Sequence, residues 1–327
     1  MLLLTAYYDI VTAWWNITTY PISRLSCSDK SDNITIVTAF FNIGTWCCKR
    51  LGPNYVRTPN HYYQWAGAFS RISAPVILYT DDPQFRDVFR GVRGPLPTRI
   101  HLVDRDSLAT FSLVPRMEEL LRSSGSNLLQ PHLRNPDYCA VQHSKYELMG
   151  LAIQENPYQS DYFLWMDVGV TRYGFPYRNV DYTIKVPRAL KPVAKTHIAY
   201  GQVYPYNPKL TVREIFQDGS VWLPGGTFLG AVSTMKRHLA GYNRTLHYLL
   251  DNGYFSTDQQ VIYAMFSPEG RAQVRPETEI LPFDKDDMPS ICTPTYNKYV
   301  FFVYVLLWPT FNKEDRLSYC QSDNPKL

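Results

Sequence analysis

Dense basic stretches are missing from this chain, which carries 33 Lys and Arg against 29 Asp and Glu in 327 residues. The net charge of +4 is small for this length, whereas proteins that bind nucleic acid concentrate basic residues on one surface. The sequence therefore gives no support to nucleic acid as a partner. A mildly basic cleft that receives phosphate groups is enough to account for the charge.

Cysteine is scarce and irregularly spaced. The chain has six cysteines, at Cys27, Cys47, Cys48, Cys139, Cys292 and Cys320. None belongs to a C-x-x-C pair or to a combined Cys and His spacing of the kind that holds structural zinc. We therefore expect no structural zinc site, and the pairing of the cysteines stays open.

Long apolar runs are also missing. The first fifteen residues are apolar, but they include Asp9 and lack a basic flank, so they make a poor signal peptide and are too short to span a membrane. Residues 1–32 are therefore expected to be either a truncated signal anchor, with membrane association through the N-terminus, or a flexible arm. Residues 299–308 are too short for a span as well, and predict a core strand or buried helix within a C-terminal extension, 291–327, that packs on the main domain.

The most informative segment that is present runs from residue 161 to 172, D-Y-F-L-W-M-D-V-G-V-T-R. Its apolar part, 162–166, is typical of a strand buried on both faces, as in a parallel sheet between layers of helices. The run stops at Asp167, and ligands in such sheets bind beyond the carboxyl ends of the strands. Asp167, with Gly169 nearby, can hold a divalent cation against a diphosphate, or it can cap the following turn.

Strand and helix patterns alternate from residue 34 onward. The pattern predicts strands over 34–41, 75–79, 99–103 and 162–166, and helices over 60–72, 144–155, 232–250 and 257–266. Strand, helix, strand is the order that produces parallel pairs with a right-handed crossover. The sequence therefore predicts an α/β fold with half of a doubly wound sheet, whose second half closes over the ligand edge.

Several polar residues have both a structural and a functional interpretation. Asp258 begins a helix where Ser256 and Gln259 fit a capping box, yet a carboxylate at that position can also act as a general base. Lys145 precedes the Asp167 strand and can reach a phosphate, although an exposed lysine is commoner. Asp81 or Asp82 is expected to cap the helix that starts near Gln84.

A glycine pair, Gly225 and Gly226, precedes the short apolar run that ends at Gly230. Glycines at such positions indicate a turn followed by tight packing. The missing Gly-Lys-Ser/Thr ending excludes a phosphate-binding P-loop. The pair would also let the flat face of a sugar approach the backbone.

Taken together, these segments resemble the HtrL/YibB family, whose members are similar to nucleotide-sugar-dependent glycosyltransferases of the GT-A type. The matching segments are TAFFNIG (38–44), VRTPNHYY (56–63), VILYT (76–80), the Lys145 helix, FLWMDVG (163–169), GGTFLG (225–230) and TDQQ (257–260). They extend over residues 34–282. Their order and spacing carry the resemblance, because no one of these motifs is decisive.

The resemblance implies a Rossmann-like GT-A domain, 33–290, with a mixed, mostly parallel sheet flanked by helices. On the donor side, it implies that Thr38, Phe40 and Asn42 hold the nucleotide, that Arg57 and Lys145 face the diphosphate, and that Asp167 is a ligand to Mn²⁺ or Mg²⁺. On the acceptor side, it implies a site lined by Gly225, Gly226 and Gln259, with Asp258 as the catalytic base. Two features depart from the usual pattern. Gly169 stands where GT-A enzymes commonly have a second acid, which leaves metal dependence open, and Thr45 replaces an arginine.

The resemblance implies transfer of a sugar from a nucleotide-diphosphate donor to a glycan or lipid-linked acceptor. One alternative is a non-catalytic relative that binds nucleotide or glycan. Another is a phosphatase of the haloacid dehalogenase type, with D-V-G-V-T at 167–171 as nucleophile motif and Asp284, Asp286 and Asp287 as metal ligands.

The cellular compartment depends on the host. Three N-x-[ST] sequons, at Asn16, Asn33 and Asn243, are close to the number that chance supplies, so they permit a secretory compartment without indicating one. We expect the Golgi or ER lumen in a eukaryote, and the cytoplasmic side of the envelope in a bacterium.

Overall fold

The strands arise where β-branched and aromatic residues form short apolar runs. The structure, a computed structural model, describes residues 32–45, 56–123, 135–173, 181–284 and 301–309. Its strands are β1 (Ile34–Phe40), β2 (Val76–Thr80), β3 (Thr98–Leu102), β4 (Tyr162–Met166), β5 (Tyr182–Ile184), β6 (His197–Gly201), β7 (Thr227–Ala231), β8 (Glu279–Phe283) and β9 (Leu307–Pro309). The predicted strands correspond to β1 to β4, and β4 has the bounds that the sequence indicates.

Nine α-helices connect or flank these strands in the described ranges. They are α1 (Pro59–Ala66), α2 (Pro83–Arg93), α3 (Val114–Ser123), α4 (Pro136–Glu155), α5 (Val212–Gln217), α6 (Val232–Asp251), α7 (Asp258–Phe266), α8 (Pro268–Val274) and α9 (Phe301–Leu306). Proline at the first helical position begins α1, α2, α4 and α8, because its fixed φ suits that position and its missing N–H has no partner there anyway.

Seven strands form one sheet in the order β3-β2-β1-β4-β7-β6-β8, and β5 pairs with β9 in a second, two-stranded sheet. Strand β7 is antiparallel to both of its neighbours, and the other pairs of the large sheet are parallel. The predicted fold class is confirmed: the chain forms a Rossmann-like, mixed, mostly parallel sheet flanked by helices.

The central strands β1, β2, β4 and β7 are buried on both faces, which explains why they are almost continuously apolar. Side chains alternate along a strand, so neighbours point to opposite faces. Trp165 of β4 belongs to the core that contains residues of α3 to α7. Its neighbour Leu164 belongs to the core that contains residues of α1, α2 and α9.

Two helices differ in length from the prediction. Helix α1 ends at Ala66 and continues as a 3₁₀ turn over Gly67–Arg71, whereas the sequence predicts one helix over 60–72. Helix α4 begins at Pro136, eight residues before the predicted start at 144. Asn135 caps this helix, because its side chain accepts a hydrogen bond from the Tyr138 N–H. Buried residues lie on several sides of α4, so its sequence lacks the one-sided polarity that marks a surface helix.

The described part of the predicted C-terminal extension consists of α9 and β9. Helix α9 contributes Phe302, Val303 and Leu306 to the core that also contains residues of α1 and α2. Strand β9 pairs antiparallel with β5. The division into 1–32, 33–290 and 291–327 stays a prediction. The expected signal anchor or arm lies outside the described residues, except for Asp32, which forms an ion pair with Lys191.

No helix in the described ranges combines the length and the apolar character that a membrane span requires. Of the three sequons, Asn16 lies outside these ranges. Asn33 uses its amide nitrogen to donate to the Gln159 carbonyl at 2.7 Å, and Asn243 is exposed on α6.

Candidate functional site

A cleft of about 300 Å³ opens at the carboxyl ends of β1 and β4. The chain runs from β1 to β2 and β3 on one side and then returns to β4 on the other, so these two strands form the topological switch point where α/β sheets bind ligands. Five parts of the chain line the cleft. They are 39–44 at the end of β1, Arg57 with Pro59 and Tyr62 of α1, Tyr138, Val141, Gln142 and Lys145 of α4, Trp165 of β4 with Asp167, Val168, Gly169, Val170 and Arg172 after it, and 224–226 together with 257–259.

Helix α4 presents one face to this cleft. Tyr138, Val141, Gln142 and Lys145 are three, one and three residues apart, a spacing that places them on the same side of a helix. Lys145 is buried, with 2% of its side chain exposed. Its Nζ lies 2.9 Å from Asp258 Oδ2 and 3.6 Å from Asp167 Oδ1.

Lys145 also donates to two neutral oxygens, the Gly225 carbonyl at 2.9 Å and Gln142 Oε1 at 3.1 Å. Burial disfavours its charged form, but the two carboxylates outweigh that effect, so the pKa of Lys145 is raised above its ordinary value. The lysine is therefore a fixed positive charge beneath the cleft, and the exposed lysine that is commoner for this residue type is not found.

Asp258 is the first residue of α7, and 2% of its side chain is exposed. The capping box expected from Ser256 and Gln259 does not form. The hydroxyl groups of Ser256 and Thr257 instead donate to Gln260 Oε1 at 2.9 and 2.8 Å. The Asp258 carboxylate takes no part in capping; its Oδ2 faces Lys145 and forms an ion pair with it.

Glycine is required at 225 and 226 because other side chains occupy the space that a Cβ would fill. A Cβ on Gly225 would lie 1.9 Å from Asp258 Oδ2, and one on Gly226 would lie 2.8 Å from Val170 Cγ1. The Gly226 carbonyl accepts from the Asp167 N–H at 2.9 Å. The glycine pair thus brings the start of β7 close to the Asp258 and Asp167 carboxylates, in agreement with the tight packing that the sequence indicates.

Asp167 lies immediately after β4, and about a third of its side chain, 32%, is exposed to the cleft. Its Oδ1 accepts from the Trp165 indole N–H at 2.5 Å. Burial raises the pKa of Asp167, while Lys145 and the Trp165 hydrogen bond oppose that rise without cancelling it.

Two arginines line the cleft beside Asp167. Arg57 lies over the Trp65 ring, with its guanidinium carbon 5.7 Å from the ring centroid. Arg172 is exposed and donates to the Gly169 carbonyl at 3.3 Å. The sequence analysis selected Arg57 but missed Arg172. The only sequence feature that could have indicated Arg172 is its position shortly after Asp167, the acid at the end of β4.

Asn42 lines the cleft but uses its polar atoms to shape the loop after β1. Its side-chain nitrogen donates to Asp82 Oδ2 and its backbone N–H to Asp81 Oδ1, both at 2.8 Å. Its Oδ1 accepts from the N–H of Gly44, whose φ of +82° favours glycine. Asp82 also caps α2, as expected, by accepting from the Gln84 and Phe85 N–H groups.

Thr38 lies apart from the cleft. Its side chain is fully buried within β1 and does not line the cleft, and its expected nucleotide contact stays a prediction. Thr38 lies in the middle of the strand, where it pairs with Leu78, whereas the cleft starts at the strand end. Phe40 does line the cleft, although its ring is mostly buried against Tyr62 and Phe85.

Other predicted residues are placed as follows. Seven other predicted residues line the cleft, and their chemical roles stay predictions. They are Arg57, Lys145, Asp167, Gly225, Gly226, Asp258 and Gln259. Asp284 follows β8, which β7 and β6 separate from β4, and it accepts from Gln202 Nε2 at 3.0 Å. It does not line the cleft, and Asp286 and Asp287 lie outside the described residues, so nothing described favours the phosphatase alternative.

Comparison with known proteins gives one family. The model of the HtrL_YibB family, described as "Bacterial protein of unknown function", matches residues 32–268. No curated protein matches the chain. Among solved structures it is similar to Core-mannan synthase A of Aspergillus fumigatus in its Mn/GDP form, with 9% identity and a TM-score of 0.43 over 85% of this chain and 84% of that one. Since the family model extends over most of the sequence and contains the whole cleft, the chain belongs to the HtrL_YibB family.

Proposed function

We propose that this protein is a glycosyltransferase that moves a sugar from a nucleotide-diphosphate donor to a glycan or lipid-linked acceptor. The observation that carries the proposal is the convergence of Asp167 and Asp258 on the Lys145 ammonium, inside a cleft at the topological switch point. A strand-end acid supports donor binding, and a second acid at a helix N-terminus supports attack by the acceptor.

The donor is expected to lie along the β1 side of the cleft. The loop 41–44 would contact the nucleoside, and the guanidinium groups of Arg57 and Arg172 would face the diphosphate. Guanidinium groups suit phosphate because their N–H donors form a planar fork that matches two phosphate oxygens. Two arginines therefore lie near one partly exposed acid on this side of the cleft.

The residues present fit a divalent cation that enters with the diphosphate. The described residues contain no cluster of three His, Cys, Asp or Glu that could enclose a metal. Mg²⁺ and related ions nevertheless bind through one or two carboxylates together with substrate phosphates and water. Asp167, partly exposed and with only Oδ1 hydrogen-bonded to Trp165, would be that ligand, and Mn²⁺ or Mg²⁺ would supply Lewis acidity toward the leaving diphosphate.

Asp258 would act as base in an inverting transfer. The acceptor hydroxyl would give its proton to the Asp258 carboxylate as its oxygen forms a bond to the anomeric carbon. The bond from that carbon to the diphosphate would break, and its electron pair would leave with the diphosphate. Gly225, Gly226 and Gln259 line the neighbouring wall, where the acceptor would lie.

Thermal unfolding with added ligands tests the donor site. Wild-type protein and Asp167→Asn would be heated with UDP, GDP, CMP and UDP-sugars, with and without Mn²⁺. A ligand at a hundredfold excess over its Kd stabilises by about 2.7 kcal/mol. We expect one nucleotide to stabilise the wild type in a metal-dependent manner and to lose that effect in Asp167→Asn; no shift with any of them would refute the donor site.

A further inference from the structure

Oxygen atoms of the protein already surround the Lys145 ammonium. An ammonium group has three N–H donors. Three oxygens lie within 3.1 Å of Nζ, on Gln142, Gly225 and Asp258, and the Asp167 oxygen at 3.6 Å is a fourth neighbour. Only 2% of the side chain is exposed, so the lysine lies beneath the wall of the cleft.

The neighbours of Lys145 also depend on it. Asp258 Oδ2 is buried and has no well-directed hydrogen bond, so the ammonium 2.9 Å away is its closest compensating charge. If Lys145 turned toward a phosphate, it would leave this carboxylate buried and uncompensated, which is strongly unfavourable. The backbone oxygen of Gly225 would lose its donor as well.

The positive charge available to a phosphate comes instead from the other side of the cleft. Arg57 contacts the Trp65 ring and the carbonyl of its own neighbour Val56, and neither contact neutralises its charge. Arg172 is exposed at the cleft, donates to the backbone carbonyl of Gly169 and interacts electrostatically with Asp167. Neither guanidinium is buried as Lys145 is.

We infer that Lys145 is a positioning residue that holds Asp258 and Asp167 in a fixed relation from beneath the cleft, and that it is not the ligand of the donor diphosphate. This inference rests on the proposed function and assigns Lys145 a different role from the one that the family resemblance implies. Lys145 acts on the reaction through the two carboxylates. Arg57 and Arg172 contact the phosphates.

The first test separates binding from turnover. Affinity for UDP and GDP with Mn²⁺ would be measured by calorimetry, and turnover by hydrolysis of UDP-glucose and GDP-mannose, in which water replaces the acceptor. We expect Lys145→Met to bind the nucleotide within about twofold of wild type, while kcat falls about a hundredfold. Arg57→Met, the matched control, should lose about tenfold in affinity. An equal loss of affinity in both variants would overturn the inference.

The second test measures the ion pair without any ligand. Urea unfolding of Lys145→Met, Asp258→Asn and the double variant forms a double-mutant cycle. We expect the double variant to unfold at a higher urea concentration than Lys145→Met, because Asp258→Asn removes the buried charge that Lys145→Met leaves without a partner. Additive effects of the two substitutions would overturn the inference.

The two tests distinguish a failure of the proposed function from a failure of the inference about Lys145. If the wild type bound neither nucleotide, the proposed function would be refuted, yet the urea cycle would still decide whether Lys145 holds Asp258. If the single variant did not fold and the double variant did, the ion pair would be supported directly. If both remained unfolded, Lys145 would serve general stability alone and the inference would be wrong.

Discussion

At the scale of single residues, the cleft depends on an acid and a glycine that occupy one small volume. Asp258 fills the space where Gly225 would carry a Cβ, and the Gly225 carbonyl accepts from Lys145. The acid, the lysine and the glycine are therefore mutually dependent. Substituting any of them should affect the other two, so their separate effects on stability and turnover can be compared.

Replacement of Asp258 by asparagine tests the base. Asn keeps the size of the side chain but cannot accept a proton, so Asp258→Asn should lower turnover by about 10²- to 10⁴-fold while nucleotide affinity is retained. The measurement is donor hydrolysis at saturating donor, with Asp218→Asn, an exposed acid at the end of α5, as control. Full turnover in Asp258→Asn would exclude the base role.

Replacement of Gly225 by alanine tests the close packing. The new Cβ would start 1.9 Å from Asp258 Oδ2, so the carboxylate or the backbone must shift. Overpacking of this kind costs about 1–3 kcal/mol, and we expect a lower urea midpoint together with reduced turnover.

Gly91→Ala is the matched control for that substitution. Gly91 is exposed within α2 and a Cβ there meets nothing within 4 Å, so alanine should stabilise the protein by about 0.5–1 kcal/mol. Equal effects of the two substitutions would show that Gly225 has no special packing role.

At the scale of secondary-structure elements, Arg93 joins the end of α2 to its surroundings. It is almost fully buried, and its guanidinium donates to the carbonyl groups of Phe69, Ile72, Ala74 and Pro97 at 2.6–3.0 Å and to Thr98 Oγ1 at 2.9 Å. Burial lowers its pKa to about 10, so it is still charged at neutral pH. One side chain thus connects α2 with the 3₁₀ turn after α1 and with the entries to β2 and β3.

Arg93→Met should destabilise the protein by at least about 3 kcal/mol, because several buried carbonyl groups lose their donor together. Arg93→Lys should recover only part of the loss, since an ammonium lacks the planar fork. Urea unfolding measures both, with Arg90→Met, an arginine 64% exposed on the same helix, as control. A change of less than about 0.5 kcal/mol in Arg93→Met, as at ordinary surface positions, would contradict this role.

At the scale of the whole molecule, two buried histidines connect distant elements. His143 of α4 contacts the Tyr242 hydroxyl of α6 at 2.6 Å and the Ser256 carbonyl before α7 at 2.9 Å. His238 contacts Tyr200 of β6 at 3.0 Å. Burial lowers the pKa of each imidazole to about 3, from an ordinary value of 6.5.

Acid should therefore destabilise the fold. Below pH 6.5 the unfolded chain binds a proton at each of these histidines while the folded chain does not, so stability present above pH 6.5 is lost as the pH falls toward 3. Each histidine contributes up to about 1.4 kcal/mol per pH unit in that interval. Urea midpoints at pH 7, 6 and 5 should decline less steeply in His238→Gln than in the wild type, and no less steeply in the exposed control His247→Gln. Identical slopes in all three proteins would disprove the assignment.

Part of the fold and of the site could be predicted because the signal is local. The buried strand β4 and the acid after it are visible in one short segment, since a short apolar run that stops at a carboxylate is typical of a buried strand. The cap of α2 by Asp82 is equally local. The full extent of α4 could not be predicted, because buried residues on several sides remove its amphipathic period.

The sequence by itself determined the fold class, the family and the position of Asp167 at the ligand edge, because these depend on local patterns and on the order of those patterns along the chain. Only the tertiary structure decided that Lys145 is buried between Asp258 and Asp167, that Thr38 lies outside the cleft, and that Arg172 lies inside it. Lys145 and Asp258 belong to helices α4 and α7, far apart in the chain. They meet because both helices pack on the same face of the sheet, and no local pattern records that contact.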